Sequence, residues 1–128
     1  MSRAAQSTQP VQPIKHGDIY WVNFAGLPNR DPRGSEIEKT RPCVILSMTE
    51  ANALRRTVVC VPLTSSPEPA PPVAILVLSA GPDSVAVCDQ IAAIDKRRLK
   101  RRLKRRVGAL SVADLREVEK SLRLILVL

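Results

Sequence analysis

Short apolar runs separated by Gly, Pro and charged clusters make up most of the chain. Gly17-Asp18 reads as a turn that opens Ile19-Tyr20-Trp21-Val22-Asn23-Phe24, whose aromatic and β-branched residues predict a strand. Pro42–Ser47 predicts a second strand, Thr57–Val61 a third that stops at Pro62, and Val73–Leu78 a fourth. Ser84–Ile94 alternates poorly and is mostly apolar, as expected of a fifth strand buried on both faces. Between the second and third, Thr49–Arg56 predicts a short helical turn.

After Asp95 the period changes. Leu99, Leu103 and Val107 recur every four residues, and Lys96-Arg97-Arg98-Leu99 is repeated almost verbatim as Lys100–Leu103 and then Lys104–Val107. A short helix with one apolar stripe fits this repeat. So does a solvated insertion, because like charges at helical spacing repel. Gly108 ends the repeat, and Ser111 then reads as the N-cap of a helix with Asp114 in its first turn. Val112, Leu115, Val118, Leu122 and Ile125 form the apolar face of that helix. Five short strands followed by a helix predict a small, mainly β domain with a curled sheet or barrel.

The 128 residues suit one compact domain over 15–128, preceded by a polar, disordered arm over 1–14. That arm has no apolar stretch of the secretory kind, which predicts a cytoplasmic protein. No run approaches the roughly 20 apolar residues of a membrane span. Aromatics are 2% of the chain, so the core must be aliphatic; the three aromatics share the first strand and are expected to pack inside it. Cys43, Cys60 and Cys88 each lie in an apolar run at spacings that match no zinc pattern, and read as small buried hydrophobes in a reducing compartment. The net charge of +8 is local: Lys96–Arg106 holds nine basic residues and no acid, and the rest of the chain has eleven Lys and Arg against twelve Asp and Glu. Attraction for a polyanion is therefore concentrated in one segment.

Three polar elements sit at predicted strand ends. Arg41 precedes Pro42, which biases it toward extended backbone at the mouth of a strand and presents a planar fork of donors suited to phosphate. Thr64-Ser65 follows the third strand, and Asp89-Gln90 lies in the fifth. Ala25–Thr40 is a long Gly/Pro-rich connection in which Arg30 and Arg33 add phosphate-binding character. The single histidine, His16, reads as a solvated side chain with no role, and no metal site is visible.

With those residues assembled, the chain from about Gly17 onward resembles the MazF/PemK family of toxin ribonucleases. Gly17-Asp18-Ile19-Tyr20-Trp21-Val22, Gly34-Ser35-Glu36 with Thr40-Arg41-Pro42, Val61-Pro62-Leu63-Thr64-Ser65, and Asp89-Gln90-Ile91 with Ile94-Asp95-Lys96 carry the likeness. The resemblance implies an SH3-like β-barrel with a C-terminal helix, a homodimer, and metal-independent, cofactor-free cleavage of single-stranded RNA. It also implies an acidic antitoxin partner, with DNA met only through the toxin–antitoxin complex. Arg41, Thr64 and Asp89 would be catalytic, and Glu36, Lys39, Ser65, Gln90, Arg30 and Arg33 would contact RNA. Three features depart from the pattern. Lys39-Thr40 stands where glycine is frequent, Val87 stands where some members carry a proton-donating arginine, and the basic run is longer than the pattern requires. A non-catalytic nucleic-acid-binding module therefore stays open as an alternative. A CcdB-like gyrase poison is disfavoured, because its C-terminal tryptophan has no counterpart here: the one tryptophan is Trp21.

Overall fold

The computed structural model describes residues 13–25, 40–65, 68–99 and 108–128. Within them the apolar runs form seven strands: β1 (Asp18–Asn23), β2 (Thr40–Ile45), β3 (Thr57–Thr64), β4 (Ala74–Leu76), β5 (Val85–Val87), β6 (Ala92–Asp95) and β7 (Gly108–Ala109). Helix α1 (Thr49–Leu54) lies between β2 and β3, and α2 (Val112–Leu126) follows β7. The strand order is β4-β5-β3-β2-β1-β7, with β6 also on β3, and every pairing is antiparallel.

Side chains alternate across these strands, and both faces are apolar. Ile19, Val44, Val61 and Leu63 point to one cluster, which α2 covers with Val118 and Leu122. Tyr20, Val22, Phe24, Cys43, Ile45, Val58 and Cys60 point to a second, joined by Ile94 and Leu99. A sheet with two apolar faces must curl on one and accept a helix on the other, which gives the predicted mainly β fold with a C-terminal helix. The turn into β1 requires Gly17: its φ is +94°, and a Cβ there would lie 3.0 Å from the Leu115 side chain. Helix α2 starts as predicted, with the Ser111 hydroxyl accepting from the Asp114 amide at 3.1 Å. The Asp114 carboxylate accepts from the Ser79 amide at 2.9 Å, which joins the cap to the sheet.

Several elements differ from the pattern-based reading. β2 begins at Thr40, so Arg41 lies inside the strand rather than before it. β3 runs through Pro62 to Thr64. A proline is tolerated there because one edge of β3 is open at that level: β6 pairs with 57–60, β5 with 63–64, and neither with 61–62. Ser84–Ile94 is two strands, β5 and β6, separated by a 3₁₀ turn over Cys88–Gln90. The basic repeat begins with a 3₁₀ turn over Lys96–Arg98, and Leu99 is buried in the second cluster; Leu103 and Val107 lie outside the described residues. Val112 is 66% exposed and does not belong to the buried face of α2, because it is the first residue of the helix and lies beyond the sheet. Ile14, assigned to the arm, packs against the second cluster. Tyr20 and Phe24 are buried and Trp21 half-buried, and all three cysteines are buried free thiols.

Because Leu99 is 1% exposed, Leu99→Ala should cost about 2–5 kcal/mol, whereas Val112→Ala should stay within about 0.5 kcal/mol of the parent. Chemical denaturation of the two variants checks both values, and equal midpoints would contradict the assignment of Leu99 to the core.

Candidate functional site at the open end of the β2–β3 seam

The β2–β3 ladder pairs Ile45 with Cys60, Val44 with Val61 and Cys43 with Pro62, and goes no further. Pro42 comes next on β2 and has no N–H with which to extend it. On its other edge β2 stays paired with β1 as far as Asn23↔Thr40. The seam between β2 and β3 thus ends at Pro42 while β2 remains anchored. Two residues beyond Cys43↔Pro62 on each strand lie Arg41 and Thr64. Such a pair shares one face, with Cα atoms about 5 Å apart where the register continues.

Both residues extend the rows that form the second cluster. Arg41 follows Ile45 and Cys43 along β2, and Thr64 follows Cys60 and Pro62 along β3. The rows are buried up to Cys43 and Pro62, and both polar residues are half-buried. Arg41 also pairs with Val22, Val22 bridges to Leu99, and Thr64 pairs with Val85. Leu99–Val22–Arg41 and Thr64–Val85 are thus two paired rows, carried by the neighbouring strands β2 and β3, each with an apolar residue paired to its polar one.

Asp89 is in neither row. β5 is antiparallel to β3, so Thr64 meets Val85 at the start of β5, and the end of β5 leads back toward the middle of β3. Asp89 lies in the 3₁₀ turn that follows, exposed, with β3 between it and β2. Two strand spacings, roughly 10 Å, separate it laterally from the Arg41 strand. Arg41 and Thr64 thus lie on adjacent strands, each two residues past the last β2–β3 pair, and Asp89 lies beyond β5 with β3 between it and β2. Ser65 and Gln90 are exposed, the first just past β3 and the second in the turn with Asp89. Glu36, Lys39, Arg30 and Arg33 lie outside the described residues. Val87 is buried and paired with Ala74. Among the described residues, no group of three His, Cys, Asp or Glu is placed to hold a metal ion.

The pattern-based reading missed several polar contacts around this end of the sheet. Lys96 Nζ donates to the carbonyls of Asn52 (2.6 Å) and Arg55 (2.9 Å), closing the C-terminal end of α1. Arg97 donates to both oxygens of Asp95 at 3.1 Å, and these bonds hold the Asp95 carboxyl down at about 2. Arg98 Nη1 donates to the carbonyls of Asn23 (3.1 Å) and Ala25 (2.7 Å). The first turn of the basic run is therefore engaged within the fold, and composition alone cannot separate such cations from solvated ones. His16 is also engaged, not merely solvated: Nδ1 lies 2.9 Å from the Leu46 carbonyl and Nε2 2.8 Å from the Glu119 carboxylate, tying the entry to β1 to α2. A lone histidine beside a polar arm gives no sequence signal of such a contact.

The position of the basic repeat is also informative. Leu99 bridges Val22, and Gly108 pairs with Ile19. Stepping back three positions on β1, from Val22 to Ile19, would bring position 102 opposite Ile19 in an uninterrupted antiparallel edge. The chain reaches that level only at 108, six residues later. Residues 99 and 108 thus meet β1 with six more residues between them than an uninterrupted edge would need.

A curled antiparallel sheet closed by a C-terminal helix, with an arginine and a threonine where one seam opens, defines an SH3-like barrel with a polar site at its mouth. Residues 15–126 match the PemK-like, MazF-like toxins of type II toxin-antitoxin systems, and the chain belongs to that family. MazF from Deinococcus radiodurans has the same fold, with a TM-score of 0.70 at 20% identity over 91% of this chain and 99% of that one. So has an endoribonuclease from a mycobacterial species, at 0.68 and 19% over 92% and 95%. A mycobacterial endoribonuclease bound to its cognate antitoxin matches at 0.65 and 21% over 91% and 97%.

Burial, then the Asp89 charge, push the Cys88 thiol up to about 11, against a hydrogen bond with Ser121 that lowers it. Raised from 9.0, the folded thiol keeps its proton where the unfolded one loses it, so this contribution to stability fades as pH rises from 9 toward 11. Its thiolate fraction at pH 8 should be about 100-fold below that of an unperturbed thiol. Labelling with a thiol reagent at pH 8 should modify none of the three cysteines in the folded protein and all three after denaturation. Rapid native labelling of Cys88 would contradict its burial.

Proposed function

We propose that this toxin is a metal-independent endoribonuclease that cleaves single-stranded RNA at the open end of the β2–β3 seam. The observation that supports the reading is the place of Arg41 and Thr64 on adjacent strands, each two residues past the last pair of the ladder that Pro42 ends. RNA carries its own nucleophile. Attack of a 2′-hydroxyl on the adjacent phosphorus forms the new P–O2′ bond and breaks P–O5′, leaving a 2′,3′-cyclic phosphate and a 5′-hydroxyl. The protein must align the phosphodiester, remove the 2′ proton, stabilise charge on the phosphorane-like transition state and protonate the departing oxygen.

Arg41 supplies the charge. Its guanidinium binds two phosphate oxygens at once and stays protonated throughout. Thr64 adds a hydroxyl to the phosphate or the 2′-oxygen from the next strand. The apolar residues paired with them, Val22 and Val85, lower the local polarity and strengthen both interactions. Asp89 is the carboxylate available as base. Its place across β3 makes it the less constrained of the three, and the role of proton-donating arginine is vacant at Val87.

Two partners accompany this reading. An acidic antitoxin segment would compete for the same guanidinium; a mycobacterial relative is bound to its cognate antitoxin. A second copy of the chain would cover the apolar end of α2, where Leu124 is 60% and Val127 87% exposed. With a reducing-compartment cysteine set, we place the protein in the cytoplasm.

Incubation with a long single-stranded RNA in EDTA tests the reading. Discrete cuts ending in cyclic phosphate are expected, and Arg41→Ala should slow them by about 10²- to 10³-fold. Asp89→Asn should cost less than Arg41→Ala. Retention of RNA without cutting would favour the non-catalytic binding module instead, and full cleavage by Arg41→Ala would remove the assignment. The basic run supports a wider RNA footprint, because phosphate contacts add affinity without sequence choice. Replacing four of the arginines at 101, 102, 105 and 106 with glutamine should weaken RNA binding at low salt and flatten its salt dependence. An unchanged salt slope would exclude the run from the footprint.

A further inference from the structure

Arg98 lies in the basic run but is used differently from its neighbours. Arg97 forms a surface pair with Asp95, two residues away in sequence. Arg98 instead reaches 73 to 75 residues back along the chain and donates from Nη1 to two carbonyls, those of Asn23 and Ala25. These carbonyls flank the point where the backbone leaves β1. The Asn23 side chain makes the turn from the inside, accepting from the Ala25 amide at 2.9 Å. Arg98 holds the same turn from the outside.

The chain that leaves here returns at Thr40–Arg41. Asn23 pairs with Thr40, and Val22 pairs with Arg41. The base of this connection is therefore one pair of residues wide, and Arg98 grips one side of it. Leu99, the next residue, bridges Val22 and is buried in the second cluster, so the Arg98 backbone is itself anchored beside the row that holds Arg41. On the other side of β2, the ladder to β3 has already ended before Arg41 is reached. Arg41 pairs with Val22 of β1, and the end of β1 is what Arg98 binds.

We propose that Arg98 is a positioning residue for Arg41: by holding the two carbonyls at the exit of β1, it fixes the β1–β2 pair that carries Arg41. The inference rests on the nuclease reading of Arg41 and adds to it a part of the basic run that acts through the backbone, not on RNA. The guanidinium suits this task, because it cannot lose its proton and one terminal nitrogen carries two hydrogens for two acceptors. A lysine at this position keeps the charge and several donors, so it should recover much of the function. Alanine should lose it.

The test combines single-turnover cleavage of one RNA, affinity for that RNA, and backbone amide exchange, using the full chain with Arg98→Ala, Arg98→Lys, Arg41→Ala and the Arg98→Ala/Arg41→Ala double variant. Arg98→Ala should lower the single-turnover rate constant about 10- to 100-fold with Kd within about 2-fold of the parent, because small misplacements cost rate. Arg98→Lys should regain most of the rate. Arg98→Ala should add almost nothing to Arg41→Ala, since the two act through one interaction. Amides at 23–25 and 40–41 should exchange faster in Arg98→Ala than in the parent. A parental rate in Arg98→Ala, a loss confined to Kd, or a loss that adds in full to that of Arg41→Ala would overturn the proposal. If the parent cuts no RNA, the nuclease reading fails; unchanged exchange at 23–25 and 40–41 would then separately defeat the clamp, and faster exchange would sustain it.

Discussion

The end of the β2–β3 ladder at Pro42 is the constraint on which the site depends. Up to Cys43↔Pro62 the two strands are joined by backbone hydrogen bonds, and their inward side chains are apolar and fully buried. One residue further, the missing proline donor stops the pairing. Past that point the same two rows continue with an arginine and a threonine. The change from apolar to polar side chains along these rows thus coincides with the end of the β2–β3 ladder. The remaining β1–β2 pairing keeps Arg41 from moving off with the connection that precedes it.

The described cations are put to different uses. Arg41 stands half-buried where the β2–β3 ladder ends, and Arg97 pairs with Asp95 at the surface. Lys96 and Arg98 bind backbone carbonyls at the end of α1 and at the exit of β1, replacing partners those carbonyls would otherwise find in water. The rest of the basic run, after Leu99, lies outside the described residues. A net charge of +8 summarises none of this, because the energetic worth of each cation is set by what surrounds it.

The fold was legible wherever burial imposed a period. β1 was readable because aromatic and β-branched residues cluster between turn signals, and α2 because Ser111 and the 115/118/122 spacing leave few alternatives. Ser84–Ile94 was harder. An apolar run buried on both faces has no alternation, so nothing in it marked the 3₁₀ turn at Cys88–Gln90 that splits β5 from β6. Pro62 misled for a related reason. Proline ends a strand where the neighbour facing its nitrogen needs a donor, and whether that edge is open is decided by strands far away in sequence.

The candidate residues divide along the same line. Local chemistry nominated Arg41, because an arginine held extended by a following proline is unusual enough to be noticed in one dimension. It nominated Thr64 and Asp89 equally, since both follow apolar runs. Antiparallel register separates them: two steps past Cys43↔Pro62 lead to Thr64, while the direction of β5 carries Asp89 to the far side of β3. The sequence by itself determined the class of fold and its family and singled out Arg41 as a candidate, because these follow from local patterns of apolarity, turns and short motifs. Only the tertiary structure decided which polar residues lie on adjacent strands and which cations are spent on carbonyls, because strand register and long-range hydrogen bonds join residues that no local pattern connects.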